Sequence, residues 1–233
     1  MMKIKLSFGY KAFVMVLFAF ILWNGSMVTV GAKKTTNSSN SKSEQQLTES
    51  EKSLEDLPEK IQEVIAGKRR FIDATDGKKY TLKSYRMLNL NDEKVKVHWG
   101  SYIVADIDSD GQNELIVEVV DVNNVNGPDV QRRVFDQQDN KVYCYTYPYR
   151  AILRVYKDGV IEGSSGAADN DFYKVDFNKR KTHEEIVAQS ISTESGKVNY
   201  YIGSKKVSQK KFQKFIKKYQ PKKQLTWSEE DLK

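Results

Sequence analysis

Leu54, Leu57, Ile61, Val64 and Ile65 recur at spacings of three, four and three, with polar residues between most of them. That period predicts a short amphipathic helix. Pro58 suits its first position and Gly67 suits a left-handed stop. Further along, the period shortens toward two. Phe71-Ile72 and Tyr80-Thr81-Leu82 flank Asp76-Gly77, a hairpin signal. Leu82, Tyr85 and Leu88 would share a face over one or two helical turns. Residues 95–105 and 115–122 read as strands rich in β-branched side chains. Residues 143–149 alternate, and residues 151–156 and Val160-Ile161 flank a second hairpin signal, Asp158-Gly159. Strand-like runs at 172–177, 186–191 and 198–202 follow, and a last helix over 209–219 starts after Ser208, a fair N-cap.

Six or more strands with a helix at each end predict an α+β domain, mainly antiparallel sheet, over residues 54–233. About 180 residues can bury roughly 70% of their unfolded surface, enough for a core without disulfides. Twelve of the thirteen tyrosines and six of the ten phenylalanines fall within this domain and supply its bulk. The lone Cys144 cannot form an internal disulfide and reads as a small core residue.

The N-terminal residues follow a different pattern. Lys3, Lys5 and Lys11 precede any acid, and an apolar run of twelve fills residues 12–23. Small residues at Gly31 and Ala32 then supply a place for cleavage. Residues 1–32 thus read as an export signal. The run is short of the roughly 20 residues that span a bilayer core. The expectation is a secreted or cell-surface protein with a cleaved signal; the alternative is an uncleaved membrane anchor. Residues 33–53 hold a single apolar side chain, Leu47, and read as a flexible polar linker. Lys and Arg number 38 against 31 Asp and Glu, giving +7; the signal carries three lysines and no acids, which leaves +4. Ten lysines and no acid fall within 197–228.

The densest chemistry is "DIDSDGQNELIV" at 106–117. Asp106, Asp108 and Asp110 stand at positions 1, 3 and 5, Gly111 at 6 and Glu114 at 9. Alternate spacing turns three carboxylates to one side, and the glycine lets the Gln112 carbonyl swing inward. Calcium takes six to eight oxygens at about 2.3–2.6 Å, which such a loop with one or two waters provides; magnesium demands stricter octahedral geometry. Without a cation the carboxylates repel one another. Position 12 is Val117, not the glutamate of a helix-loop-helix calcium hand, and both flanks are strand-like. The loop resembles the strand-loop-strand calcium sites of FG-GAP and VCBS-type repeats, in single copy. That resemblance implies side-chain ligation by Asp106, Asp108, Asp110 and Glu114 and carbonyl ligation by Gln112. More broadly, "FID…GKKYTLKSY", "VYCYTYPYRA", "KDGVIEGSSGAAD" and "TWSEEDL" resemble segments of uncharacterised exported proteins from Gram-positive bacteria. This implies export and domain limits, and no catalytic residues.

Other stretches are less specific. Tyr143, Tyr145, Tyr147 and Tyr149 share one side of an extended run, a stacking row for glycan or a packed face. Residues 163–167 miss the G-x-S-x-G nucleophile pattern at Ala167, and His98 and His183 stand far from Ser165 in sequence. Phe212, Phe215, Ile216 and Tyr219 form one stripe of the last helix, with Lys210, Lys211, Lys214, Lys217 and Lys218 on the remainder. Such a face could meet anionic cell-wall polymer or membrane headgroups; export argues against nucleic acid. The sequence leaves the oligomeric state open. It predicts a non-catalytic, calcium-stabilised binding module acting outside the cell, with a secreted hydrolase as the alternative.

Overall fold

β-Branched and aromatic residues at alternate positions build two facing sheets. The computed structural model describes residues 52–90, 93–123, 131–166, 169–218 and 223–232; readings that fall on residues 1–51, on Ala167 and on Tyr219 lie outside them. The first sheet holds β1 (Phe71–Asp73), β2 (Lys79–Tyr80), β3 (Met87–Leu90), β4 (Glu93–Ala105), β5 (Glu114–Asp121), β6 (Gln131–Gln138) and β7 (Lys141–Pro148). Its spatial order is β2-β1-β7-β6-β5-β4-β3. Every neighbouring pair is antiparallel except β1 and β7, which run parallel, so this sheet is mixed. The second sheet is a meander of β8 (Arg154–Val155), β9 (Ile161–Gly163), β10 (Asp171–Asn178), β11 (Lys181–Ser192), β12 (Val198–Ile202) and β13 (Lys205–Val207). With α1 (Glu59–Ile65) and α2 (Gln209–Ile216), the fold is α+β and rich in strand.

Strand alternation sorts the side chains into layers. Leu115, Val117, Val119, Phe135, Val142 and Cys144 point to one side of the first sheet, where Leu57, Ile61 and Val64 cover them. Ile116, Val134, Tyr143, Tyr145 and Tyr147 point to the other side, against Val155, Ile161, Tyr173, Val175 and Phe177 of the second sheet. Tyr145 stacks on Phe177 with ring centroids 4.5 Å apart. On the far side of the second sheet, Phe212 of α2 packs with Tyr156, Phe172 and Ala188. The final segment ties the sheets together: Leu225 N–H donates to Val155, Ser228 N–H to Tyr102 and Leu232 N–H to Gly100.

Four elements depart from the sequence reading. The period at 54–65 is broken, because Leu57 precedes a proline and is forced to extended backbone (φ −75°, ψ 151°). Leu54–Asp56 is therefore a separate 3-10 turn, capped by Ser53, and Pro58 is the cap of α1. Lys83–Tyr85 makes a single 3-10 turn before the chain enters β3. Strands β6 and β13 lie where the sequence gives no strand signal. QRRVFDQQ has two apolar residues in eight, yet its residues 132–136 are all buried.

Candidate metal centre

The 106–114 loop joins β4 to β5 and is fixed from both sides. Ile107 is buried among the residues between the sheets, so its neighbours Asp106 and Asp108 are turned outward. Ser109 (φ 66°) and Gly111 (φ 90°) take left-handed backbone that only glycine adopts freely. Asp106 accepts the N–H groups of Ser109 and Gly111, and Asp108 accepts that of Asp110. A Cβ on Gly159 would stand 2.9 Å from the Ile107 carbonyl oxygen, so the Asp158-Gly159 turn packs bare backbone on the loop. Asn113, which the sequence reading passed over, is gripped by Lys52 Nζ at 2.6 Å and donates to the Asp56 carbonyl at 2.7 Å.

Of the five predicted residues, the structure brings three together. Asp106, Asp108 and Glu114 each offer a carboxylate oxygen, and these oxygens lie within 4.8 Å of one another. Glu114 is the innermost. It starts β5 on the side facing the second sheet and is fully buried. Its Oε2 accepts the Ile107 N–H at 2.7 Å, while Oε1 has no hydrogen-bond partner among the described residues. Burial pushes its pKa up to about 9, with the charges of Asp108, Asp136 and Asp110 adding to the rise. Asp108 is pushed up to about 6, chiefly by burial. Asp110 stands outside the group: it is exposed, and both its oxygens accept from Gln112. Gln112 is exposed as well.

Asp136 is a residue that sequence reasoning missed. The pairing of Leu115 with Phe135 puts Glu114 opposite Asp136 on β6. Asp136 is 1% exposed, and burial pushes its pKa up to about 7. The signal was the turn after it. Asp139-Asn140 precedes the alternating tyrosines, and Asp139 is left-handed (φ 55°), as a tight hairpin asks. Counting back across that turn puts a strand through Asp136.

A scan against protein-family models and searches of curated proteins and of solved structures found no match. What the site can do follows from its atoms. An all-oxygen, carboxylate-rich set suits a hard divalent cation and offers nothing to a soft one. Glu114, a member of that set, keeps its Oε1 buried without a hydrogen-bond partner among the described residues.

The remaining candidates are placed differently. Tyr143, Tyr145 and Tyr147 are buried between the sheets and form a packed face, not an open stacking row; Tyr149 begins the next turn and is half-buried. Cys144 is fully buried and its thiol is pushed up to about 12, so it stays protonated. Ser165 is exposed and hydrogen-bonds Asp171. His98 lies 3.5 Å from Asp231, and His183 is exposed on β11 opposite Asp176. A pocket of about 370 Å³ opens beside Tyr147, Arg180, Thr182 and Glu184; Ser165 and the two histidines do not line it. On α2, Lys210, Lys211 and Lys214 are exposed, as are Lys217 and Lys218 just after it, while Phe212 is buried.

Proposed function

We propose that this chain is an exported, non-catalytic binding module whose 106–114 loop is organised by calcium. The observation that carries the reading is Glu114: a fully buried carboxylate with a bare oxygen, turned toward Asp106 and Asp108. An uncompensated buried charge costs several kcal/mol, so such a group ends up protonated or holding a cation. Asp106, Asp108 and Glu114 are the inner ligands, and Asp110 and the Gln112 carbonyl complete the set once the ion draws Asp110 away from its hydrogen bonds to Gln112. The ion's role is structural. It removes the mutual repulsion of the carboxylates and locks the β4–β5 junction. Calcium is favoured over magnesium because carboxylates on an irregular loop meet its tolerant coordination more readily than a strict octahedron. Equilibrium dialysis at millimolar calcium tests this. One ion per chain, lost in Glu114→Gln, is expected; a wild-type protein that retains none overturns the assignment.

Export rests on residues 1–32, and the surface partner on α2. Its exposed lysines fit an anionic cell-wall polymer. Exposed charges are screened within about 8 Å at physiological salt, so retention on isolated walls is expected to fall as salt rises. Retention indifferent to salt contradicts a charge-based contact and points to glycan; binding to anionic vesicles but not to walls points to headgroups. Protein recovered from medium with an N-terminus at residue 33 supports cleavage, and full-length chain in membranes supports the anchor.

A further inference from the structure

Glu114 and Asp136 are a matched pair. They lie directly across from each other on β5 and β6, with side chains on the same face of the sheet, the one turned toward the second sheet. Residues opposed in this way hold their Cβ atoms about 4.5–5.5 Å apart. Like charges there repel with little screening from bulk solvent, because Glu114 is 0% and Asp136 1% exposed. Each carboxylate has one oxygen engaged and one bare. Glu114 Oε2 takes the Ile107 N–H and Asp136 Oδ2 takes the Gln138 side-chain amide, with the Gln137 backbone N–H also supporting the Asp136 carboxylate, whereas Glu114 Oε1 and Asp136 Oδ1 stand without a hydrogen-bond partner among the described residues. Buried polar groups are almost always satisfied, so two bare oxygens on opposed residues call for a common guest.

We infer that the metal site is not confined to its loop: Asp136, on the neighbouring strand and outside the 4.8 Å group of Asp106, Asp108 and Glu114, joins the cation's oxygen shell through Oδ1, across one ordered water or directly after a side-chain shift. This rests on the calcium reading above and extends it. It also answers a gap in the loop. The helix-loop-helix calcium hand closes its shell with a glutamate at position 12, and here that position is the core residue Val117, fully buried on the helix-covered side of the sheet. Asp136 supplies the missing acid from across the sheet. The site then spans two strands, so binding fixes β6 to the β4–β5 junction as well as ordering the loop.

Calcium titration of the full-length protein, followed by calorimetry, tests this with wild type, Asp136→Asn and Asp110→Asn side by side. Asp136→Asn is expected to weaken binding at least tenfold while keeping the wild-type near-UV circular dichroism. Wild-type affinity in Asp136→Asn, with wild type itself binding, overturns the inference and leaves the loop site standing. No binding by wild type overturns the calcium reading itself. Should Asp136→Asn fail to fold, a crystal structure of wild type grown with calcium decides instead. Asp136 Oδ1 within about 2.6 Å of the ion, or bridged to it by one water, supports the inference. A shell completed without Asp136, with the pair sharing only a proton, overturns it.

Discussion

The two sides of the seven-stranded sheet each bury acids, and they do it in opposite ways. On the side covered by α1, Asp73 is 2% exposed and answered throughout. Its Oδ1 accepts the Thr75 N–H, and its Oδ2 receives the Tyr85 hydroxyl and faces Arg133. Arg133, equally buried, also bonds Thr146 and Gln131 and lies 4.7 Å over the Tyr85 ring. On the side facing the second sheet, Glu114 and Asp136 are buried as deeply, with no countercharge among the described residues and one bare oxygen each. Same sheet, similar burial, different completion: on the closed side the chain itself supplies Asp73 with a countercharge and a partner for each oxygen, although Arg133 Nε stays unpaired among the described residues, and on the open side it supplies neither Glu114 nor Asp136 with a countercharge.

The largest effect should come from opening the closed side. Arg133→Met strands Asp73 without its cation, and breaking a buried pair costs about 3–5 kcal/mol. Urea denaturation should show that loss equally in calcium and in chelator; rescue by calcium would erase the contrast between the two sides. Next comes closing the open side by chemistry. In chelator, Glu114→Gln removes a buried carboxylate that has one unpaired oxygen and should gain about 1–3 kcal/mol, while abolishing any gain from calcium. A loss of stability in chelator would mean that Glu114 is already satisfied.

The pH dependence sharpens the same point. Glu114 and Asp136 have folded pKa values of about 9 and about 7, above the ordinary carboxylate range. The folded state therefore holds protons that the unfolded chain has released. Calcium-free stability should be fullest near pH 4.5 and fall as pH rises toward 9, by at most about 1.4 kcal/mol per pH unit for each proton. Calcium should remove most of that slope, as measured by denaturation midpoints at stepped pH. The smallest effect serves as a yardstick remote from both sites. Ser208 accepts the Lys211 N–H at the start of α2, and Ser208→Ala should cost about 1 kcal/mol with or without calcium.

Much of the fold was legible because period-two alternation marks strands buried on one or both sides. Both hairpin turns at Asp-Gly were visible for the same reason, since Gly77 and Gly159 supply the left-handed backbone those turns need. Strand β6 was not legible. Its buried positions include Arg132, Arg133 and Asp136, charges whose burial is intelligible only once their surroundings are known, such as Glu118 2.9 Å from Arg132. The metal loop showed its local ligands in the spacing of its acids. It could not show Asp136, which is a neighbour through register rather than sequence, nor that Asp110 would turn to Gln112. The tyrosine row was legible as a row, but which way it faced depended on a second sheet assembled from later residues.

The most direct test of the central claim, that the open side is completed by calcium, is a thermal melt of the same protein in calcium and in chelator. At a free concentration a hundred times the dissociation constant, binding adds about 2.7 kcal/mol. For a domain of this size that is a rise of about 5–10 °C in Tm. Superimposable melts under the two conditions would contradict the account and leave Glu114 and Asp136 as a buried pair held by protons alone.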